Sequence, residues 1–83
     1  MNNEIREEIA ALCHEQWSKW MDYLYSKSEL NDDGSITIPP NKTRRWARQA
    51  CTAYHNLSEL ERDGDREEAD KFIEVFLRSD NDA

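Results

Sequence analysis

The chain has 83 residues, enough for one domain with a thin hydrophobic core. Charged residues make up 35% of it and its formal net charge is -7. That balance disfavours a general binder of nucleic acid or of anionic membranes, because phosphate contacts need clustered cations. Three Trp, three Tyr and two Phe, with apolar residues at periodic positions, argue against full disorder.

Ile5, Ile9, Leu12, Cys13, Trp17, Trp20 and Leu24 recur at spacings of three and four. This predicts an amphipathic helix from about Asn3 to about Ser26. Gln16 falls inside the apolar stripe, where a side-chain amide needs hydrogen-bond partners, so it is expected in a polar network or a pocket wall. His14 and Met21 lie on the edge of the stripe. Cys13 and Cys51 stand in apolar-periodic surroundings and are expected as buried free thiols rather than a bridge.

Asn31-Asp32-Asp33-Gly34 is a turn signal. Ser35-Ile36-Thr37-Ile38 then reads as extended, and Pro39 holds its end away from helical geometry. With no evident strand to pair with, it is expected as an extended loop packing Ile36 and Ile38 on the helices; pairing with another chain is the alternative. A second helix starts between Pro40 and Thr43, carries Trp46, Ala50 and Ala53 or Tyr54 on one face, and projects Arg44 and Arg48 from another. Ser58-x-x-Glu61 has the spacing of a capping box, with Leu57 in the staple position.

Asp63-Gly64 is expected to stop this helix after about one turn. Asp65-x-x-Glu68 would then cap a last helix, lined by Ala69, Phe72, Ile73, Phe76 and Leu77 and ending near Arg78. Residues 1–3 and 79–83 are expected to fray. The expected fold is all-α: a small compact domain of three main helices plus a short helical turn, with an extended loop around 35–39.

Little here carries catalysis or metal binding. His14 and His55 have no histidine or cysteine partner at ligand spacing, and the Asn31–Gly34 turn lacks the donor spacing and distal glutamate of a calcium loop. No nucleophile with a supporting base and third group can be named, and neither glycine opens a phosphate-cradling loop. No enzyme activity, metal or cofactor is expected. The absence of a signal sequence, lipidation motif or long apolar run points to a soluble cytoplasmic protein.

Binding is better served. Lys42, Arg44, Arg45 and Arg48 form a basic stretch without an acid inside it, while seven acids lie between Glu59 and Asp70. Guanidinium groups meet phosphates through forked hydrogen bonds, and a base stacked on an aromatic ring contributes about 1–3 kcal/mol. Trp17, Trp20, Trp46 and Tyr54 could supply such rings or simply fill the core.

The ordered set His14-x-x-Trp17, Ile38-Pro39, Arg45-Trp46, Gln49, Thr52-x-Tyr54, Leu57-Ser58-x-x-Glu61-Arg62, Asp65-Arg66 and Glu68-Ala69-Asp70-Lys71 resembles the ryanodine-receptor repeat (RyR domain). It is most similar to the small stand-alone relatives of bacteria and their phages. Two features depart from the receptor repeats: no Trp-Tyr-Gly stretch follows Trp20, and Ala53 stands where a proline is usual. The resemblance implies a mainly helical recognition module, non-enzymatic and possible to find encoded by a phage, acting in the host cytoplasm. His14, Trp17, Tyr54, Leu57, Glu61, Arg62 and Arg66 match the signature; Glu61 and Arg66 could be a structural ion pair.

The first expectation is a nucleotide-like small ligand held by His14, Gln16, Trp17, Arg44, Arg45, Trp46, Arg48 and Tyr54, with Leu57, Ser58, Glu61, Arg62 and Arg66 structural. The alternative is a protein-interaction module, such as an inhibitor whose acidic surface faces a basic host protein. Nucleic acid and membrane are not expected partners, and a homo-oligomer is left open.

Overall fold

A computed structural model describes residues 3–81, with side chains through Arg78. The elements are α1 (Asn3–Ser26), β1 (Glu29–Leu30), β2 (Ile36–Thr37), α2 (Pro40–Ala50), a 3-10 turn (Tyr54–Asn56) and α3 (Glu59–Asn81). The expected all-α domain of three main helices and a short helical turn is what the chain forms. No described helix is long and apolar enough to cross a membrane.

The boundaries of α1 are those its periodicity predicts. Its last turn ends where Ser26 Oγ and Ser28 Oγ donate to the carbonyls of Tyr23 and Leu24, at 2.6 and 2.7 Å. Both carbonyls also accept the Lys27 N–H at 3.2 Å, so the hydroxyls add a second bond at the helix end.

The 35–38 segment is a correction. It finds its partner within the chain: β1 and β2 pair antiparallel, with Glu29 opposite Thr37 and Leu30 opposite Ile36. The connecting turn carries the bonds that hold the hairpin. Ser35 N–H and Oγ both donate to Asp33 Oδ1, at 2.9 and 2.6 Å, and Asn31 Nδ2 donates to Ser35 Oγ and Thr37 Oγ1, each at 3.0 Å. Gly34 has φ +89°, a left-handed conformation that costs glycine little. Ile36 and Ile38 are half-buried.

Pro40 opens α2 at a position where the missing N–H is no loss. At its end, Thr52 Oγ1 donates to the Arg48 carbonyl at 2.6 Å, and the chain turns into the 3-10 segment.

The second correction concerns α3. It runs unbroken from Glu59 to Asn81, so Asp63-Gly64 does not stop it and Asp65 does not cap a new helix. Arg62 bonds Glu59 one turn back, and Arg66 reaches Asp63 at 2.7 Å and Glu59 at 3.1 Å. The two Arg66 pairs span the glycine, the Arg62–Glu59 pair lies before it, and packing on α1 supports the rest. Glycine in a helix costs only about 1 kcal/mol against alanine, which a long helix packed on a neighbour can carry. The helices include Asn3 and Asn81; residues 1, 2, 82 and 83, part of the ends expected to fray, lie outside the described residues.

The two long helices lie antiparallel. Lys19 meets Glu68 at 3.2 Å, Lys71 approaches Glu15 at 3.9 Å, and Arg78 approaches Glu8 at 3.7 Å. Leu57 and Val75 are the buried apolar residues, Val75 at 2% exposure. The domain is a slab of 52 × 33 × 16 Å with a radius of gyration of 16.8 Å. A globular chain of this length would measure about 12 Å. The slab leaves helix flanks bare, which explains a third correction: Cys13 and Cys51 are free thiols but exposed, not buried.

Gly64 has no positive φ, and no heavy atom lies within 4 Å of where a Cβ would stand. Gly64→Ala should therefore stabilise the domain by about 0.5–1 kcal/mol, raising the thermal midpoint by about 4–8 °C per kcal/mol. A scanning-calorimetry midpoint equal to or below that of the parent would contradict an unstrained helix here.

Candidate functional site

An open cleft of about 690 Å³ lies where α1, α2 and the first half of α3 meet. Gln16, Lys19, Trp20 and Tyr23 come from α1, at spacings that put them on one helix face. Arg45, Trp46, Gln49 and Ala50 come from α2, and Leu57, Leu60, Glu61, Gly64, Asp65, Glu67 and Glu68 from α3 and its approach.

Three rings form the aromatic wall. Trp20 stacks on Tyr23 with centroids 5.6 Å apart, and Trp46 meets Trp20 edge-on at 5.4 Å and Tyr23 at 6.2 Å. Such pairs each contribute about 0.5–1.5 kcal/mol beyond burial, so the cluster holds α2 on α1. It does so without closing over. Trp20 remains 44% exposed. Lys27 Nζ lies 5.6 Å from the Tyr23 ring centre, a cation–π contact on the cluster's flank.

The opposite wall is carboxylate-rich. Glu68 is engaged by Lys19 and by Lys71, at 3.2 and 3.3 Å. Glu61 is engaged by Arg48 at 3.0 Å and by the cap of its own helix. Asp65 and Glu67 make no hydrogen bond or ion pair with any described residue. Of the cations, Arg45 is likewise unpaired, while Lys19 is committed to Glu68.

The capping box forms as its spacing predicts. Glu61 N–H donates to Ser58 Oγ at 3.2 Å; Ser58 N–H and Oγ donate to Glu61 Oε1 at 3.2 and 2.9 Å. Leu57 is buried beside it, but the residue it would staple to is Arg62, not an apolar one. Arg62 instead clamps the 3-10 turn to α3: Nη1 donates to the His55 carbonyl at 3.3 Å and Nη2 to Glu59, while buried Nε has no partner. Glu61 and Arg66 do not pair with each other. Glu61 takes Arg48, and Arg66 takes Glu59 and Asp63.

The expected ligand residues divide. Gln16, Arg45 and Trp46 line the cleft; His14, Trp17, Arg44, Arg48 and Tyr54 do not. His14 and Trp17 stack on each other along an exposed flank of α1, centroids 6.1 Å apart, and Ser18 Oγ lies 3.4 Å from His14 Nε2. Tyr54 is half exposed on the 3-10 turn. Gln16 has no hydrogen bond among the described residues, so it is a wall residue and not part of a network. Trp20, named only as a possible ring and left out of the expected ligand set, and Tyr23, not expected at all, both line the cleft. Their positions four and seven after Gln16 on the wheel carry the signal.

No group of three or more His, Cys, Asp or Glu among the described residues could hold a metal ion. Comparison with protein-family models, curated proteins and solved structures finds no match for the chain.

Three carboxyls are held below their ordinary values. Hydrogen bonds from the Ser58 hydroxyl, then its backbone N–H, do this for Glu61; Lys19 does so for Glu68, and the Ser35 hydroxyl for Asp33. A depressed carboxyl contributes stability that is full above its unfolded pKa and lost as pH falls through the lower folded value. The domain should thus lose stability on acidification below the ordinary glutamate value of 4.5. In urea titrations across that range, Ser58→Ala should lower the midpoint at neutral pH and make the acid limb shallower. An unchanged acid limb would show that the cap carries none of the pH dependence.

Proposed function

We propose that the chain is a non-enzymatic recognition module whose cleft receives a basic segment of a partner protein. The observation that carries this reading is the composition of the cleft: an aromatic wall facing carboxylates, two of which, Asp65 and Glu67, have no side-chain partner among the described residues. Lysine and arginine side chains combine an apolar stem with a charged head. The stem suits Trp20 and Trp46, and the head suits the carboxylates or a ring face. The net charge of -7 favours encounter with a basic partner. The likeness to the ryanodine-receptor repeat supports recognition over catalysis, and Leu57, Ser58 and Glu61 serve the α3 junction, as fold residues of such a repeat would. Cytoplasmic location, in a host cell if the chain is phage-encoded, belongs to the same proposal.

A short amphipathic peptide with alternating Lys and Leu serves as the probe. Isothermal titration should give saturable binding that weakens with added salt and falls about tenfold in Trp46→Ala and in the Asp65→Asn, Glu67→Gln pair. No saturable heat at millimolar peptide would sink the proposal.

Arg45 favours a second reading. It has no ion pair among the described residues and stands beside Trp46 in the cleft, a combination suited to a phosphate and a base. A nucleotide-like small ligand would use these two residues with Trp20 and Gln16. A panel of mono- and cyclic nucleotides should then show saturable binding lost in Arg45→Ala; silence throughout at about 1 mM, a free energy of roughly 4 kcal/mol, would dispose of this reading.

A further inference from the structure

We infer that the partner segment carries a short acidic run beside its basic residues, seated on the flank of α2 that borders the cleft. This rests on the cleft reading above and adds a second seat to it. Among the described residues α2 is the one α-helix without an acid: Pro40 to Ala50 holds Lys42, Arg44, Arg45 and Arg48 and no Asp or Glu. Only Arg48 has an ion pair, with Glu61. Lys42, Arg44 and Arg45 have neither ion pair nor side-chain hydrogen bond among the described residues. Shortage of acids is not the reason, since the chain has 18 acids for 11 Lys and Arg. Elsewhere Lys19, Arg62, Arg66, Lys71 and Arg78 each meet a carboxylate, and Lys27 lies by the Tyr23 ring. Arg6 is the other cation without either, and Glu4, Glu7 and Glu8 surround it in sequence.

Two local rules are broken to place the cations on α2. Lys42 stands in the first turn, where the helix dipole favours an acid and opposes a cation. Arg44 and Arg48 are like charges at i,i+4, a spacing that destabilises a helix. Glu61 offsets the charge of Arg48 alone. A local cost with nothing in the fold to offset it marks a surface kept for a partner.

Geometry makes the arginines one surface. At 100° per residue, Arg44, Arg48 and Arg45 fall within an arc of about 100°, and all three are exposed. Trp46 lies about 100° beyond Arg45 and lines the cleft. Arg45 is common to both surfaces, lining the cleft with Trp46 and standing on the flank with Arg44. Arg44 and Arg48 are about 6 Å apart along the axis. Alternate residues of an extended chain are about 6.6 Å apart, so a Glu-x-Glu run can meet both through forked hydrogen bonds. A nucleic-acid backbone fits less well, because its phosphates would outrun an 11-residue helix in a chain of net charge -7.

The net charge sets the sign of the alternative. Without a seat on α2, acidic residues added to a partner are repelled by this chain and weaken its binding. With the seat they tighten it, and the surrounding acids confine the run to this one place.

Isothermal titration at about 0.1 M salt compares the Lys and Leu peptide with two extended forms, Glu-Ser-Glu being added at one end or at the other. Gln-Ser-Gln extensions serve as uncharged controls. One of the Glu forms should bind about tenfold more tightly than its Gln control. Arg44→Gln should abolish that gain and leave the unextended peptide within about twofold, because Arg44 is exposed and lies off the cleft. Equal or weaker binding of both Glu forms would overturn the inference and leave the cleft reading standing. A gain that survives Arg44→Gln would overturn it too. Silence of the unextended peptide would remove the cleft reading, and this inference with it.

Discussion

One carboxylate joins the two halves of this domain. Glu61 accepts both hydrogen bonds from Ser58 that close the start of α3, and its other oxygen takes the guanidinium of Arg48 from α2. A capping box is a local device, present wherever a helix must begin. Here the residue that completes the cap also fixes where the preceding helix lies. The side chain is only 9% exposed, so water competes little for it. Leu57 is buried one residue before the cap, which places the chain's only buried leucine, among the described residues, at the same junction. The cleft inherits its shape from this joint, because α2 is held at one edge by Glu61 and at the other by the Trp20–Tyr23–Trp46 rings.

The rest of the molecule follows from having too little chain for a closed core. Two long helices consume most of the length and pack along one flank each. The short α2 covers only the half of that pair nearest the hairpin. Side chains that would be interior in a larger domain are therefore wall and rim here, and aromatic contacts and ion pairs take over cohesion that core packing would supply. Much of the ion pairing is exposed and individually weak. Its arrangement matters more than its strength: Lys19–Glu68, Lys71–Glu15 and Arg78–Glu8 mark the antiparallel alignment of α1 and α3 along its length.

Local chemistry was the most legible part of the sequence. The span of α1, the start of α2 at Pro40 and the Ser58–Glu61 cap all follow from spacing or from one residue's covalent constraints. Competition between signals was harder to judge. Asp63-Gly64 reads as a stop, but the Arg66 pairs across it and the α1 surface carry the helix through one glycine. Glu29-Leu30 is too short and too polar to announce a strand, so the partner of Ile36-Thr37 was invisible. Periodicity places the thiols inside because it finds a stripe without saying how much of it a neighbour covers. For the site, Gln16, Arg45 and Trp46 were legible as cleft residues. Trp17 lies off the cleft while Trp20 and Tyr23 line it, since which edge of a wide stripe faces α2 is decided by tertiary packing alone.

The continuity of α3 has a mechanical consequence. The same rigid rod supplies Leu60 to Glu68 to the cleft and Ile73 to Leu77 to the bare end of the hairpin. From Gly64 to Leu77 the rise is about 20 Å at 1.5 Å per residue. A helix that runs on through Gly64 holds the cleft segment and that apolar segment at a fixed spacing and a fixed rotation about one axis.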